Sequence, residues 1–146
     1  MFKTSSLALF LLLSFVLCHD HLFAETKVGE IDLSKARSKE TAITFNLGGK
    51  VSVQCFFYIY GEGNQRLLAN AALKNTASKV MHIAYYAAFF DKEKNLIGCA
   101  RQIAELESGD ETTLAGCNIH VPIADLSKIT NYQVVFHESE EPIGKK

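Results

Sequence analysis

The chain has 146 residues, 48% of them hydrophobic and 21% charged, with a formal net charge of -1. That apolar content excludes a disordered chain, and the scattered, nearly balanced charge excludes the clustered Lys and Arg that phosphate backbones require, so nucleic acid is not an expected partner. The length fits one ordinary domain, large enough to bury a core.

The first element is a leader. Lys3, an apolar run from Leu7 to Leu17 and a short polar stretch ending at Ala24 follow the three-part pattern of a secretory signal peptide. A membrane-spanning helix needs about 20 apolar residues, and Cys18, His19, Asp20 and His21 interrupt this run well before that length. Ala24 is small enough for the position before a cleavage site, so residues 1–24 are expected to be removed and the mature chain to begin at Glu25. An alternative makes Cys18 a lipid-modified anchor, although Leu17 stands where such sites want a small residue. The expected location is periplasmic or extracellular, with no transmembrane segment in the mature chain.

Residues 25–40 are polar, with Val28, Ile31 and Leu33 as isolated apolar points, and read as an N-terminal arm or a weak first strand contributing little core. Residues 41–138 show short runs of β-branched and aromatic residues between turn signals, the spacing of an antiparallel β-sandwich of about six to seven strands. Ile43, Phe45 and Leu47 alternate before the hairpin signal Gly48-Gly49. In the next run, period 2 puts Val51, Val53, Cys55, Phe57 and Ile59 on the core face and Phe56, Tyr58 and Tyr60 on the other. Gly61-Glu62-Gly63-Asn64 is a loop, after which Leu67, Ala69, Ala71 and Leu73 point inward until Asn75-Thr76-Ala77-Ser78 breaks the alternation.

Lys79 to Asp91 is apolar on both faces, which predicts a central strand. Its alanines favour a helix, but Val80, Ile83, Tyr85, Tyr86, Phe89 and Phe90 favour the strand. After a turn at Asp91 to Asn95, the runs Leu96 to Leu106 and Thr112 to Val121 are predicted to pair with each other. Pro122 to Ile129 is expected to cross over with a single helical turn. Asn131 to His137 closes the fold through Tyr132, Val134 and Phe136. Residues 139–146 are a charged, flexible tail.

Asn70, Asn75-Thr76, the alternating apolar strand, Phe89-Phe90-Asp91 and Asn95-Leu96-Ile97-Gly98, with Leu106-Glu107-Ser108-Gly109-Asp110 further on, resemble the FxLYD family of bacterial extracytoplasmic domains. The likeness runs from Leu67 to Phe136, with Ala87, Phe90 and Ser108 where the family carries Phe, Tyr and Pro. It implies an immunoglobulin-like β-sandwich on an exported protein of unknown biochemical role, and it brings no catalytic residues.

Of the four cysteines, Cys18 falls in the leader, leaving Cys55, Cys99 and Cys117. An odd number in an oxidising compartment leaves one thiol over. If Glu107-Ser108-Gly109 is a hairpin loop with Gly109 left-handed, Leu106 lies opposite Asp110 and Cys99 opposite Cys117, close enough for a disulfide. Pairs involving Cys55, or free thiols, are the alternatives, and a register shifted by one residue would turn Cys99 and Cys117 to opposite faces. Cys55, between Val53 and Phe57, is expected to be a buried, inert thiol.

Cys117 and His120, with Cys99, would offer soft ligands to copper or zinc, but period 2 sends Cys117 and His120 to opposite faces, so no metal and no other cofactor is expected. His82 and His137 read as lone strand histidines. The chain has no Gly-x-Ser-x-Gly elbow, no His-Glu-x-x-His and no phosphate loop, and no catalysis is expected. Phe56, Tyr58 and Tyr60 are the candidate binding face if that side of the strand is open; coverage by the arm is the alternative. The sequence thus points to an exported, non-catalytic domain that binds or assembles with an unknown protein or envelope partner, or alternatively to a periplasmic carrier of a small ligand or metal.

Overall fold

A computed structural model of the chain describes residues 22–38, 43–61, 65–114, 118–119 and 121–144. Within them the fold is the expected antiparallel β-sandwich. Its strands are β1 (Leu22–Glu30), β2 (Ile43–Gly48), β3 (Val51–Tyr60), β4 (Arg66–Asn75), β5 (Met81–Phe90), β6 (Leu96–Leu106), β7 (Glu111–Leu114), β8 (Asn118–Ile119) and β9 (Asn131–Ser139). One sheet has the order β1-β9-β5-β6; the other has β2-β3-β4-β7, with β8 also paired to β4. The expected helical turn follows Pro122 as α1 (Ile123–Leu126).

The alternation read from the sequence is the alternation of burial. Val51, Val53, Cys55, Phe57 and Ile59 face inward from β3, Leu67, Ala69, Ala71 and Leu73 from β4, and Met81, Ile83, Tyr85, Ala87 and Phe89 from β5. The two sheets meet through rings: Phe57 of β3 packs edge-on against Phe89 of β5, with centroids 5.0 Å apart, and against Tyr132 of β9 at 5.3 Å. Burial, and to a lesser degree the nearby Cys55, raises the Tyr132 phenol above its ordinary value. The β5 run is central, hydrogen-bonded to β9 on one side and β6 on the other.

Two expectations are corrected. The polar arm contributes to both sheet and core: Glu25 to Glu30, with Leu22 to Ala24 from the end of the leader segment, form β1, which pairs along β9 from Leu22 opposite Ser139 to Glu30 opposite Asn131. Ile31, Leu33 and Ala36 beyond it are buried. A 3-10 turn at Leu33–Lys35, capped by the Asp32 carboxylate accepting from the Ser34 N–H, folds this link over the end of the sandwich. There the Ile59 N–H donates to the Ala36 carbonyl at 2.7 Å. Backbone pairing at a sheet edge leaves no apolar period, so the polar composition concealed it.

The second correction concerns strand pairing. Leu96–Leu106 and the segment after it do not pair: β6 bonds to β5 in one sheet, whereas β7 and β8 bond to β4 in the other. Gly109 is left-handed as expected, at φ 81°, but the turn it makes crosses between sheets. Asn75, at the end of β4, holds that crossing. Its backbone N–H donates to the Asp110 carbonyl at 2.9 Å and its carbonyl accepts from the Gly109 N–H at 3.2 Å. Its side-chain amide donates to the carbonyls of Lys79 at 2.8 Å and of Leu106 and Glu107 at 3.0 Å each, while its oxygen accepts from the Ala77 N–H at 2.9 Å.

A carboxylate makes a second link between the sheets. Glu138 of β9, buried on the inner side, accepts from the backbone N–H groups of Lys50 and Val51 in the β2–β3 turn, both at 2.8 Å. Gly49 is required beside it, because a Cβ there would lie 2.7 Å from the Glu138 Oε1. The chain past β9 is also tied down at its start, where Glu140 accepts from Lys50 Nζ at 2.8 Å and Lys79 Nζ at 2.7 Å. Those two hydrogen bonds pull the Glu140 carboxyl from 4.5 to about 2.

Asn75→Ala removes the amide from buried carbonyls and is expected to lower the unfolding free energy by about 2 kcal/mol or more in a urea titration. Ser78→Ala, at an exposed link position, should shift it by less than about 0.5 kcal/mol. Because the folded pKa of Glu140 is depressed, its stabilisation is complete above pH 4.5 and is lost as the pH falls towards about 2. The difference in stability between the wild-type chain and Glu140→Gln should therefore shrink across that window and be absent below it.

Candidate protein-binding surface

The aromatic triplet of β3 does not form one open patch. Tyr58 is only 8% exposed and Phe56 is half-buried, leaving Tyr60, at 65%, as the ring open to solvent. The period-2 rule assigned the face correctly, but direction within a strand does not decide what covers a side chain.

A more continuous surface lies on the outer face of the β1-β9-β5-β6 sheet. The register aligns Val28, Gln133, Ala88 and Cys99 in one cross-strand row, and Thr26, Val135, Tyr86 and Arg101 in the next. A third row runs through Ala24, His137, Ala84 and Ile103, with Ala84 buried beneath its neighbours' side chains. Val28 is 66% exposed, Ile103 49% and Tyr86 36%. Between them Tyr86, Ala88, Cys99, Gln133 and Val135 line a shallow depression of about 320 Å³. The Arg101 guanidinium lies 5.5 Å from the centroid of the Tyr86 ring, holding a cation over an aromatic face at the rim of the depression. The sequence signal for this surface was the β5 run that is apolar on both sides, read as strand coverage rather than as a surface.

Cys99 is an exposed thiol in the first of these rows, whereas Cys55 is buried. The hairpin that would have set Cys99 opposite Cys117 is absent, because β6 and β7 belong to different sheets. Cys117 and His120 themselves lie outside the described residues. His82 Nδ1 lies 3.3 Å from the Glu105 carboxylate directly across the β5–β6 pair. Among the described residues no three His, Cys, Asp or Glu side chains cluster as a metal site, and no helix is long and apolar enough to cross a membrane.

At one end of the sandwich a cleft of about 900 Å³ opens between the β1–β2 link, the β5–β6 turn and the segment after α1. The buried side chains of Ile31, Leu33, Ile59, Leu126 and Ile129 form its apolar part, and Arg37, Lys92 and Lys94 line it together with Glu30 and Asp32. The β5–β6 turn is rigid at its base. Asp91 accepts from the backbone N–H of Asn95 at 2.8 Å and from its side-chain amide at 2.9 Å, bonds that hold the carboxyl below the usual carboxylate range.

Fold and surface together define the class: a small two-sheet antiparallel β-sandwich with one sheet face left open by the described residues. The chain matches no protein-family model and no curated protein, so the FxLYD likeness rests on the residues quoted for it. Among solved structures it is similar to a DUF1425 family member from Shewanella sp. pv-4, with 12% identity and a TM-score of 0.41, covering 73% of this chain and 92% of that one.

Native iodoacetamide treatment followed by peptide mass spectrometry should label Cys99 and spare Cys55 until the protein is unfolded. Labelling of Cys99 only after reductant is added would instead establish a disulfide.

Proposed function

We propose that this protein is an exported, non-catalytic β-sandwich that binds or assembles with other proteins at or outside the cell envelope, through the outer face of the β1-β9-β5-β6 sheet. Export is supported by the leader pattern of Lys3, Leu7 to Leu17 and Ala24. The observation carrying the binding reading is the contiguous set Val28, Tyr86, Ala88, Cys99, Ile103 and Val135, open on a regular sheet face and edged by Arg101 and Glu105. An apolar centre with a charged rim is the composition of interaction patches, and a rigid sheet presents it at low entropic cost.

The end cleft favours a second reading, a carrier of a small amphipathic ligand, since apolar walls meet charged groups of both signs there.

A photo-crosslinking residue placed at Tyr86 in cells should give a discrete protein adduct that Val135→Lys abolishes, while the same residue at Glu93 in the β5–β6 turn gives none. Equal adducts at both positions, or adducts insensitive to Val135→Lys, would reject the sheet face as the binding surface. A reproducible small-molecule mass on the exported protein, lost on Leu126→Lys with the adduct also absent, would favour the carrier.

A further inference from the structure

The strand at the border of this open face differs from two other described edges, β1 and β7. Among the described residues β6 hydrogen-bonds to β5 alone, and it runs for 11 residues from Leu96 to Leu106. The backbone groups on its free side are a template for another strand. On the opposite border of the same sheet, β1 places Glu25 and Lys27 on the inner side, beside Phe136 and Val134, and inward-pointing charges of that kind deter pairing. On the second sheet β7 is only 4 residues long and its Glu111 is ion-paired to Lys74. No Lys, no Pro and no inward-pointing charge guards β6; its one irregularity is a register shift near its start, opposite Phe89 and Phe90.

The charges that β6 does carry are spaced for self-recognition. Cys99, Arg101, Ile103 and Glu105 all lie on the outer face and are exposed. Two copies of β6 meeting antiparallel about a two-fold axis through Ile103 set Ile103 against Ile103, and each Arg101 directly opposite the Glu105 of the second copy. Moving the axis to Arg101 or to Glu105 sets like charges directly opposite, which is destabilising. Of the axes through residues of β6, the one at Ile103 is alone in setting Arg101 directly opposite a carboxylate of β6, which favours that register over the others that backbone bonding would allow.

We propose that the β6 edge pairs with β6 of a second copy of this chain in that register, joining two four-stranded sheets into one continuous eight-stranded sheet. The partner is identified by the complement of Arg101 with Glu105 and by the apolar Ile103 at the axis, an isologous interface in which the same patch serves both sides. The two open faces then lie on the same side of the joined sheet. The inference rests on the reading of this protein as one that binds proteins, and it names the first partner.

Sedimentation equilibrium on the exported chain, with reductant present, should show a reversible dimer. Arg101→Glu and Glu105→Arg should each weaken it by about tenfold, and the double variant Arg101→Glu with Glu105→Arg should restore it, since the pairing is then re-formed with signs exchanged. In a Cys99→Ser background, Ile103→Cys should oxidise rapidly to a symmetric disulfide dimer, because directly opposite Cβ atoms lie about 4.5 to 5.5 Å apart. A wild-type chain that stays monomeric up to high micromolar concentration, a double variant no better than the singles, or an Ile103→Cys variant that cross-links no faster than Glu93→Cys would overturn the proposal. A monomer that still gives the Tyr86 adduct with another protein would reject self-pairing while sustaining protein binding, so the two failures are separable.

Discussion

The sandwich depends on a side-chain amide where two of its sheet crossings meet. Asn75 ends β4 in one sheet, begins the link to β5 in the other, and at the same point receives the turn that carries β6 back to β7. A crossing takes backbone groups out of both ladders and into the interior, where each needs a partner. The Asn75 amide supplies donors to Lys79, Leu106 and Glu107, and its carbonyl oxygen takes the Ala77 N–H, so one residue satisfies both crossings. Asparagine is suited to the task because it carries donors and an acceptor without a charge to desolvate.

Glu138 does accept the cost of a buried charge, and it does so to bind β9 to the β2–β3 turn of the opposite sheet with two backbone donors. Directional polar links of this kind fix how the sheets are aligned, a matter on which a purely apolar interface would be more permissive. Between them the aromatic contacts of Phe57 with Phe89 and Tyr132 fill the space. Gly29 follows from the same packing: the Tyr132 ring leans over it so closely that a Cβ would lie 2.8 Å from the ring.

With the interior closed in this way, the β1-β9-β5-β6 sheet keeps a second face that nothing described in the chain covers completely. Rigid backbone, exposed apolar rows and a free strand edge lie together there, and protein–protein recognition uses all three. The role proposed for this chain, that of an adaptor or structural component outside the cytoplasm, would draw on that surface. Its chemistry would then be contact, with specificity resting on the placement of Arg101, Glu105 and Tyr86.

The sequence by itself determined the local geometry: the inward set on β3, β4 and β5, the helical turn after Pro122 and the left-handed Gly109. Each follows from side-chain alternation or from the backbone conformation a single residue type permits, and none needs a distant partner. Only the tertiary structure decided which strands bond to which. Leu106 to Asp110 has the form of a hairpin turn, yet the hydrogen bonds of β7 are made with β4, some forty residues earlier in the chain. For the same reason exposure was not legible: Tyr58 and Tyr60 share a strand face and a chemical class but differ from 8% to 65% exposed. Tyr86 and Ile103 became a surface because no other described residues cover the outer side of their sheet. Alternation fixes the direction of a side chain, whereas what lies in that direction is set by contacts distant in sequence.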